Sequence, residues 1–392
     1  MDQIINKKRF FPPFFIVALF FIFQLFSIMQ FVRYAHGFFG TLGYILISGL
    51  LSYLIFIFRN KPWIAKFFDS PIPFIIFLIL LVAAALIIYP KVDALKLVNK
   101  GSDQDDGVII ATTRMLSGLY PYSENTYVGN PISIGPGWLI LHTPFVAIHL
   151  YILASVFFIA LNGILIVYLT GHYRGVTLMS FLLASSLLFW ERFVTGTDML
   201  TMGAVSASAV SLFFISKLLK RRWIIMCGII LAVLVCSSRI PLVYLSVVFG
   251  GIGLVFGKKR GILIGVVILS GALLLLLLFY LWQPESYSIL HVITKAYRLL
   301  HSWGMLVNAA VSIFCIYLAI VHFYKTRNLS NAYLALAIAW LIPFGVMSIA
   351  DIIYRNWDWR MWEGSNYFLP AIMALATWGA IRSCGSSQIV LR

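Results

Sequence analysis

Asp103, Asp105 and Asp106 crowd the start of the most polar stretch of the chain, GSDQDDGVIIATTRMLSGLYPYSENTYVGNPISIGPGW. A carboxylate presented by a short helix can remove a proton from a hydroxyl held within hydrogen-bond reach. Clustered carboxylates can also take a divalent cation, although no further acid follows here at the spacing of a loop of metal ligands. A third use is capping, since an acid at a helix start satisfies free backbone N–H groups and faces the positive end of the dipole. Three acids exceed what one cap needs. The residues after Asp106 permit a helix that stops at Gly118, and Tyr120-Pro121-Tyr122 then forces an extended turn.

Cations that could face a phosphate lie elsewhere in the chain. Arg239 sits in Ser237-Ser238-Arg239-Ile240-Pro241, between two closely joined apolar runs, and there it either snorkels to the interface or binds phosphate bidentately. His291, Lys295 and Arg298 fall at i, i+4 and i+7 on one helical face, with Ile293, Ala296 and Leu300 opposite. Such a stripe anchors a helix to anionic headgroups or contacts a lipid phosphate. Asp198 follows Glu191, Arg192 and Gly196 at the edge of an apolar run, where an acid is costly unless paired or wetted. Trp357, Trp359 and Trp362 stand among Asp351, Arg355, Asp358, Arg360 and Glu363, as an aromatic belt or as faces for a saccharide. His142 reads as a hydrogen-bonded helix residue, and Cys227, Cys236, Cys315 and Cys384, without metal-ligand spacing, read as packing residues.

The elements that must position these groups follow from composition. With 61% hydrophobic residues, 11% charged residues and a mean hydropathy of +0.96, the chain is excluded as an aqueous globule. It is expected to be an all-α, polytopic integral membrane protein. About twelve apolar stretches, with charge confined to their ends, are candidates to cross a hydrocarbon core, at 12–32, 38–58, 71–90, 136–170, 175–193, 199–216, 223–237, 240–257, 261–282, 304–324, 331–353 and 366–382. Lys7-Lys8-Arg9 precedes an apolar run without a small-residue cleavage site, which reads as a retained first span. With a cytosolic N-terminus, basic clusters such as Lys217, Lys220, Arg221, Arg222 and Lys258, Lys259, Arg260 fall inside. Every acid except Asp2 and Asp69 then falls outside. The net charge of +16 is therefore a topology signal, and no basic domain with interleaved aromatics exists to hold nucleic acid. This orientation implies a multi-pass plasma (inner) membrane protein with three substantial outer segments, 91–135, 283–303 and 354–365. The second is expected to be an amphipathic interfacial helix. No internal repeat supports a rocking transporter.

An acid before a short helix, then Gly118-Leu119-Tyr120-Pro121-Tyr122, then Gly129-Asn130-Pro131 through Gly135-Pro136-Gly137-Trp138, with Pro144-Phe145 beyond, resembles the multi-spanning glycosyltransferases of the C-type fold (GT-C). The resemblance covers this loop, and the rest of the chain is similar in general architecture. It departs from the family in two ways: the loop follows the third span instead of the first, and three aspartates stand where the family has one. The resemblance implies inverting transfer of a sugar from a polyprenyl-phosphate donor to a glycan, lipid or protein acceptor on the outer face, amid membrane lipids. Asp105 is favoured as the general base over Asp103 and Asp106. Arg239, His291, Lys295 and Arg298 would meet the donor phosphate, where charge builds as the C–O bond breaks. Tyr120, Tyr122, Asp198, Trp357 and Trp359 are candidates for acceptor or sugar contact. No cofactor is required by this reading, and a divalent cation at the aspartates stays open. A transporter or flippase would instead line a path at the bilayer midplane with ionisable groups, and a polymerase or ligase of lipid-linked glycans would rely on arginine and histidine pairs. Asn at positions 103, 105 and 106 is expected to lower transfer about 100-fold at the position of the base. Product analysis that finds transfer intact in each single variant and in the triple variant would remove the mechanism.

Overall fold

An apolar chain without water to satisfy its backbone must close its hydrogen bonds within each segment, and it does so here as helix. The computed structural model describes residues 13–34, 38–58, 61–98, 103–358 and 362–384. Among these no strand forms, and an isolated bridge joins Asn125 to Pro131. Among the described residues, six helices are long and apolar enough to cross a membrane: Ile72–Lys96, Leu153–Thr170, Met199–Leu219, Lys258–Trp282, Pro284–Thr326 and Leu329–Tyr354. A seventh crossing arises if Tyr173–Ser185 and Leu187–Val194, bent by 77°, act as one broken span. Leu42–Leu51, Arg222–Cys236 and Ile240–Phe256 are apolar helices of shorter length.

Among the described residues fewer long helices form than the sequence has apolar stretches, because hydropathy reports apolar content and not helical continuity. The 136–170 stretch divides into Pro136–Ala147 and Leu153–Thr170 around His149, whose backbone is left-handed (φ 57°). The 12–32 stretch is interrupted between Pro13–Leu25 and Ile28–Tyr34. Ser186 breaks the 175–193 stretch, its side chain accepting the Phe189 N–H as the N-cap of a new helix.

Met199–Leu219 is the axis of the bundle, with 94% of its apolar window buried. Its small residues let neighbours approach closely: a Cβ on Gly203 would meet Pro370 Cα at 2.8 Å. Hydrogen bonds tie helices across the core, Ser211 to Tyr333 at 2.6 Å, Ser155 to Thr201 at 2.6 Å, and Asn162 to Thr377 at 2.9 Å. Pro343 lies inside Leu329–Tyr354 and cannot donate to the carbonyl of Ala339. The Tyr244 hydroxyl donates to that carbonyl instead, at 2.7 Å.

The ends of the bundle differ in chemistry. Where Met199–Leu219 finishes, Lys217 donates to the Val255 carbonyl at 2.5 Å and Arg327 to the Leu254 carbonyl at 2.8 Å, so cations satisfy helix C-terminal carbonyls. Where that helix begins, Asp198 is buried and the polar loop folds over it. The loop is seated by contacts that leave no room for a side chain. Gly135 N–H donates to the Ser238 carbonyl at 2.6 Å, and a Cβ on Gly135 would stand 2.0 Å from the Ser237 carbonyl oxygen. A Cβ on Gly137 would meet Ser237 Oγ at 2.0 Å. Gly135→Ala or Gly137→Ala should therefore cost on the order of 3 kcal/mol by overpacking. The expected result is a melting temperature lower by several degrees in detergent, whereas Gly118→Ala, strained but with open space at its Cβ, should cost less.

Candidate active site

The site begins with a local conflict in the first long span. Pro90 has no N–H, and in a regular α-helix its ring would press on the carbonyl one turn back. The chain widens there into a π-turn over Ala84–Ile88 and resumes as Tyr89–Asp93 and a 3-10 turn, Ala94–Val98. Tyr89, Asp93 and Lys96, at i, i+4 and i+7, consequently share a face. The first residues of the 91–135 segment are thus helix that extends the span.

Lys96 is the centre of the arrangement. Its Nζ lies 2.5 Å from Asp93 Oδ1, 2.6 Å from Asp105 Oδ1 and 2.5 Å from Asp106 Oδ1. The Tyr89 hydroxyl donates to Asp105 Oδ2 at 2.5 Å, so both oxygens of Asp105 are held and its side chain is 1% exposed. Asp105 is the N-cap of Asp106–Leu116 by position, yet its side chain makes no capping bond. Its carboxylate serves Lys96 and Tyr89. Behind it Gly196 adopts a left-handed backbone (φ 74°), and a Cβ there would meet Asp105 Cβ and Tyr89 Cε2 at 2.9 Å. Burial pushes the Asp105 carboxyl up to about 6, against the lowering pull of the Lys96 charge and of the bonds from Lys96 and Tyr89.

The other aspartates have different surroundings. Asp106 also accepts the Tyr127 N–H at 3.3 Å. Asp103 stands apart from Lys96 and accepts from Thr126 Oγ1 at 3.0 Å and Asn130 Nδ2 at 2.8 Å, which folds the 126–130 turn onto it. The divalent-cation alternative does not fit this geometry, because an ammonium occupies the place where the carboxylates converge. Among the described residues no group of three Asp, Glu, His or Cys side chains is arranged to hold a metal ion.

A cavity of about 630 Å³ opens beside this cluster. Tyr89, Asp93 and Lys96 form one wall, Thr113, His149 and Tyr151 part of the other. The Tyr151 hydroxyl donates to the Gly196 carbonyl at 2.9 Å. Burial and the nearby carboxylates of Asp198 and Asp105 push that hydroxyl well above its ordinary value, while Arg239 pulls the other way, so Tyr151 stands between two charged clusters. The second cluster is an ion pair, Arg239 Nη2 to Asp198 Oδ2 at 2.9 Å, with Arg239 Nη1 donating to Ser133 Oγ at 3.2 Å. Asp198 is thereby paired, and the Nε of Arg239 is buried without a hydrogen-bond acceptor among the described residues.

The remaining sequence candidates divide. The 283–303 segment is not one interfacial helix but two 3-10 turns, Pro284–Ser286 and Ser288–Leu290, leading into His291–Thr326, which kinks at His301 (φ 55°, ψ 178°). Ser288 Oγ donates to the Ile132 carbonyl at 2.5 Å, bringing the start of this helix against the polar loop. His291 and Arg298 are exposed, whereas Lys295 lines an apolar cavity of about 390 Å³ together with Ile293, Ala296 and Leu300, which the helical wheel had set on the opposite face. The aliphatic stem of lysine explains this placement, since it can pack with apolar neighbours. Tyr120 and Tyr122 do not line the polar cavity. Their rings pack edge-on against Trp282 and Tyr287, and the Tyr120 hydroxyl donates to the Phe279 carbonyl at 3.2 Å, pinning the loop to a helix end. Trp357 is 57% exposed, and Trp359 lies outside the described residues, as does Arg360. His142 is fully buried, its Nδ1 2.9 Å from the Trp138 carbonyl, which fits the helix-residue reading.

Lys96, Tyr89, Asp93 and Tyr151 were not singled out from sequence, and Gly196 stood out there only as a neighbour of Asp198. A signal existed for the first three, an ionisable i, i+4, i+7 face that straddles Pro90 at the end of an apolar run. Compared with known proteins, the chain matches no family model, no curated protein and no solved structure.

Because folding raises the Asp105 carboxyl from its ordinary 3.8 to about 6, the folded state favours its protonated form. Its stabilising contribution is fully present below 3.8 and is lost as pH climbs from there to about 6. Melting curves in detergent should show this loss in wild type and a flatter profile in Asp105→Asn. Equal profiles would contradict the assignment.

Proposed function

We propose that the protein is a membrane glycosyltransferase of the GT-C type, moving a sugar from a polyprenyl-phosphate donor to a glycan, lipid or protein acceptor. The observation that carries this reading is the pairing of a cavity into which one carboxylate, Asp93, and one lysine, Lys96, are set with a separate, apolar cavity that Lys295 lines. A lipid-linked sugar has the same two halves. In the proposed mechanism a carboxylate of the Lys96 cluster takes the acceptor proton, and no general acid is needed because the leaving lipid phosphate departs as a stable anion. Lys295, in the wall of the apolar cavity, would meet the phosphate, with His291 and Arg298 on the same helix and Arg239 across the loop. The contact between Ser288 and Ile132 supports this division of labour, since it joins the donor helix to the aspartate loop.

In this reading the dozen apolar stretches count the short and broken helices as membrane-embedded along with the long ones. The N-terminus is cytosolic, the membrane is the plasma (inner) membrane, and the cluster faces outward. The balance of basic residues supports the orientation: Lys217 and Arg327 cap helix ends at the face away from Asp198.

Deletion of the gene followed by mass spectrometry of glycolipids and envelope glycans should show loss of one glycoconjugate and accumulation of its lipid-linked sugar. Wild-type complementation should restore both and Lys96→Ala should restore neither, with product reduced at least 100-fold. An unchanged glycan and glycolipid profile in the deletion strain would end the glycosyltransferase reading.

A further inference from the structure

The base expected from sequence is Asp105, but a general base must reach the proton it removes, within about 3 Å of the hydroxyl oxygen. Asp105 cannot do so as folded. Lys96 and Tyr89 hold both its oxygens, Gly196 closes its back, and its side chain is 1% exposed. Asp106 is 13% exposed and divides its oxygens between Lys96 and the Tyr127 N–H. Asp103 lies away from Lys96, its Oδ2 holding Thr126 and Asn130. None of the three lines the cavity.

We infer that Asp93 is the carboxylate that meets the acceptor, an inference that rests on the glycosyl-transfer reading above. Asp93 alone among the four acids of this cluster lines the 630 Å³ cavity. Its side chain is 38% exposed. Oδ1 is buried against the Lys96 ammonium, 2.5 Å away, so Oδ2 is the oxygen that faces the open space. The helix holds Asp93 between Tyr89, one turn earlier, and Lys96, nearly one turn later, and each of these is fixed in turn by Asp105. Asp105 is therefore a positioning residue: it orients the two neighbours that aim Asp93. Tyr89 and Tyr151 also line this cavity, their hydroxyls turned to Asp105 and to the Gly196 carbonyl, and they supply aromatic surface of the kind that stacks on a sugar.

The step balances without a further reactant. The acceptor O–H proton passes to Asp93 Oδ2 while an acceptor oxygen lone pair forms the new bond to the anomeric carbon of the sugar. The bond from that carbon to the phosphate oxygen breaks, and its electron pair leaves on the polyprenyl phosphate. Asp93 then returns the proton to water. Lys96 stays charged throughout, because Asp105 and Asp106 still hold it when Asp93 is neutral.

The test uses membranes from the deletion strain carrying the full-length chain, with mass spectrometry of the glycoconjugate that wild type restores. Asp93→Asn is expected to lower product at least 100-fold with a melting temperature near wild type. Asp93→Ala is expected to regain product when excess formate supplies a carboxylate in the open cavity, whereas Asp105→Ala, whose carboxylate is enclosed, should not respond. Wild-type product from Asp93→Asn, or formate rescue of Asp105→Ala but not Asp93→Ala, overturns the assignment while leaving the glycosyltransferase reading intact. Failure of the wild-type gene to restore any product overturns the reading beneath it.

Discussion

One ammonium among three carboxylates organises the polar half of this molecule. Lys96 is contacted by Asp93, Asp105 and Asp106 at hydrogen-bond distance, and each acid comes to it from a different chain position. In a site largely removed from water, unpaired carboxylates would be expensive, and a single cation shared among them lowers that cost without cancelling it. The raised Asp105 carboxyl is the remainder of that cost. The arrangement persists because backbone on every side is committed to it: the π-turn ahead of Pro90 sets the register of Tyr89, Asp93 and Lys96, and left-handed Gly196 lets another loop close behind Asp105.

The loop that follows the short helix is the link between this cluster and the rest of the bundle. Its turn at 126–130 folds onto Asp103, Ser133 receives Arg239, Ile132 receives Ser288, and Gly135 and Gly137 press against the Ser237 backbone and side chain. Glycine and proline in this stretch are therefore a packing requirement as much as a turn signal. A side chain at Gly135 would separate the aspartate loop from the helix pair that carries Arg239. The Tyr120 and Tyr122 rings complete the attachment at the end of Lys258–Trp282. The loop thus touches the acid cluster, the Arg239–Asp198 pair and the turn that leads into His291–Thr326.

The three-aspartate stretch was conspicuous in sequence because acids are rare in this chain and because a helix stop and an aromatic turn follow it. The helix did form, over Asp106–Leu116, with Gly118 left-handed beyond it. Which acid faces open space was not legible there, since Asp103, Asp105 and Asp106 differ only in what other segments bring to them: Thr126 and Asn130, Tyr89 and Lys96, Tyr127. Lys96 has no mark of its own in the sequence, since the carboxylates of Asp105 and Asp106 reach it only through the fold. Lys295 was placed on the polar face of a helical wheel, yet its long stem shares an apolar wall with Ile293 and Leu300.

By itself the sequence determined that this chain is helical and built for an apolar solvent. Those properties depend on local composition, and helical hydrogen bonds close within a few residues. It also determined that the polar groups gather in a few segments, because charge is costly elsewhere. Only the tertiary structure decided where helices break, since a π-turn at Ala84–Ile88 and a left-handed His149 interrupt runs that hydropathy sees as continuous. Only the tertiary structure decided which carboxylate stays open to a cavity. Burial of a side chain is set by segments distant in the chain: Gly196 closes over Asp105, whereas Asp93 is left 38% exposed.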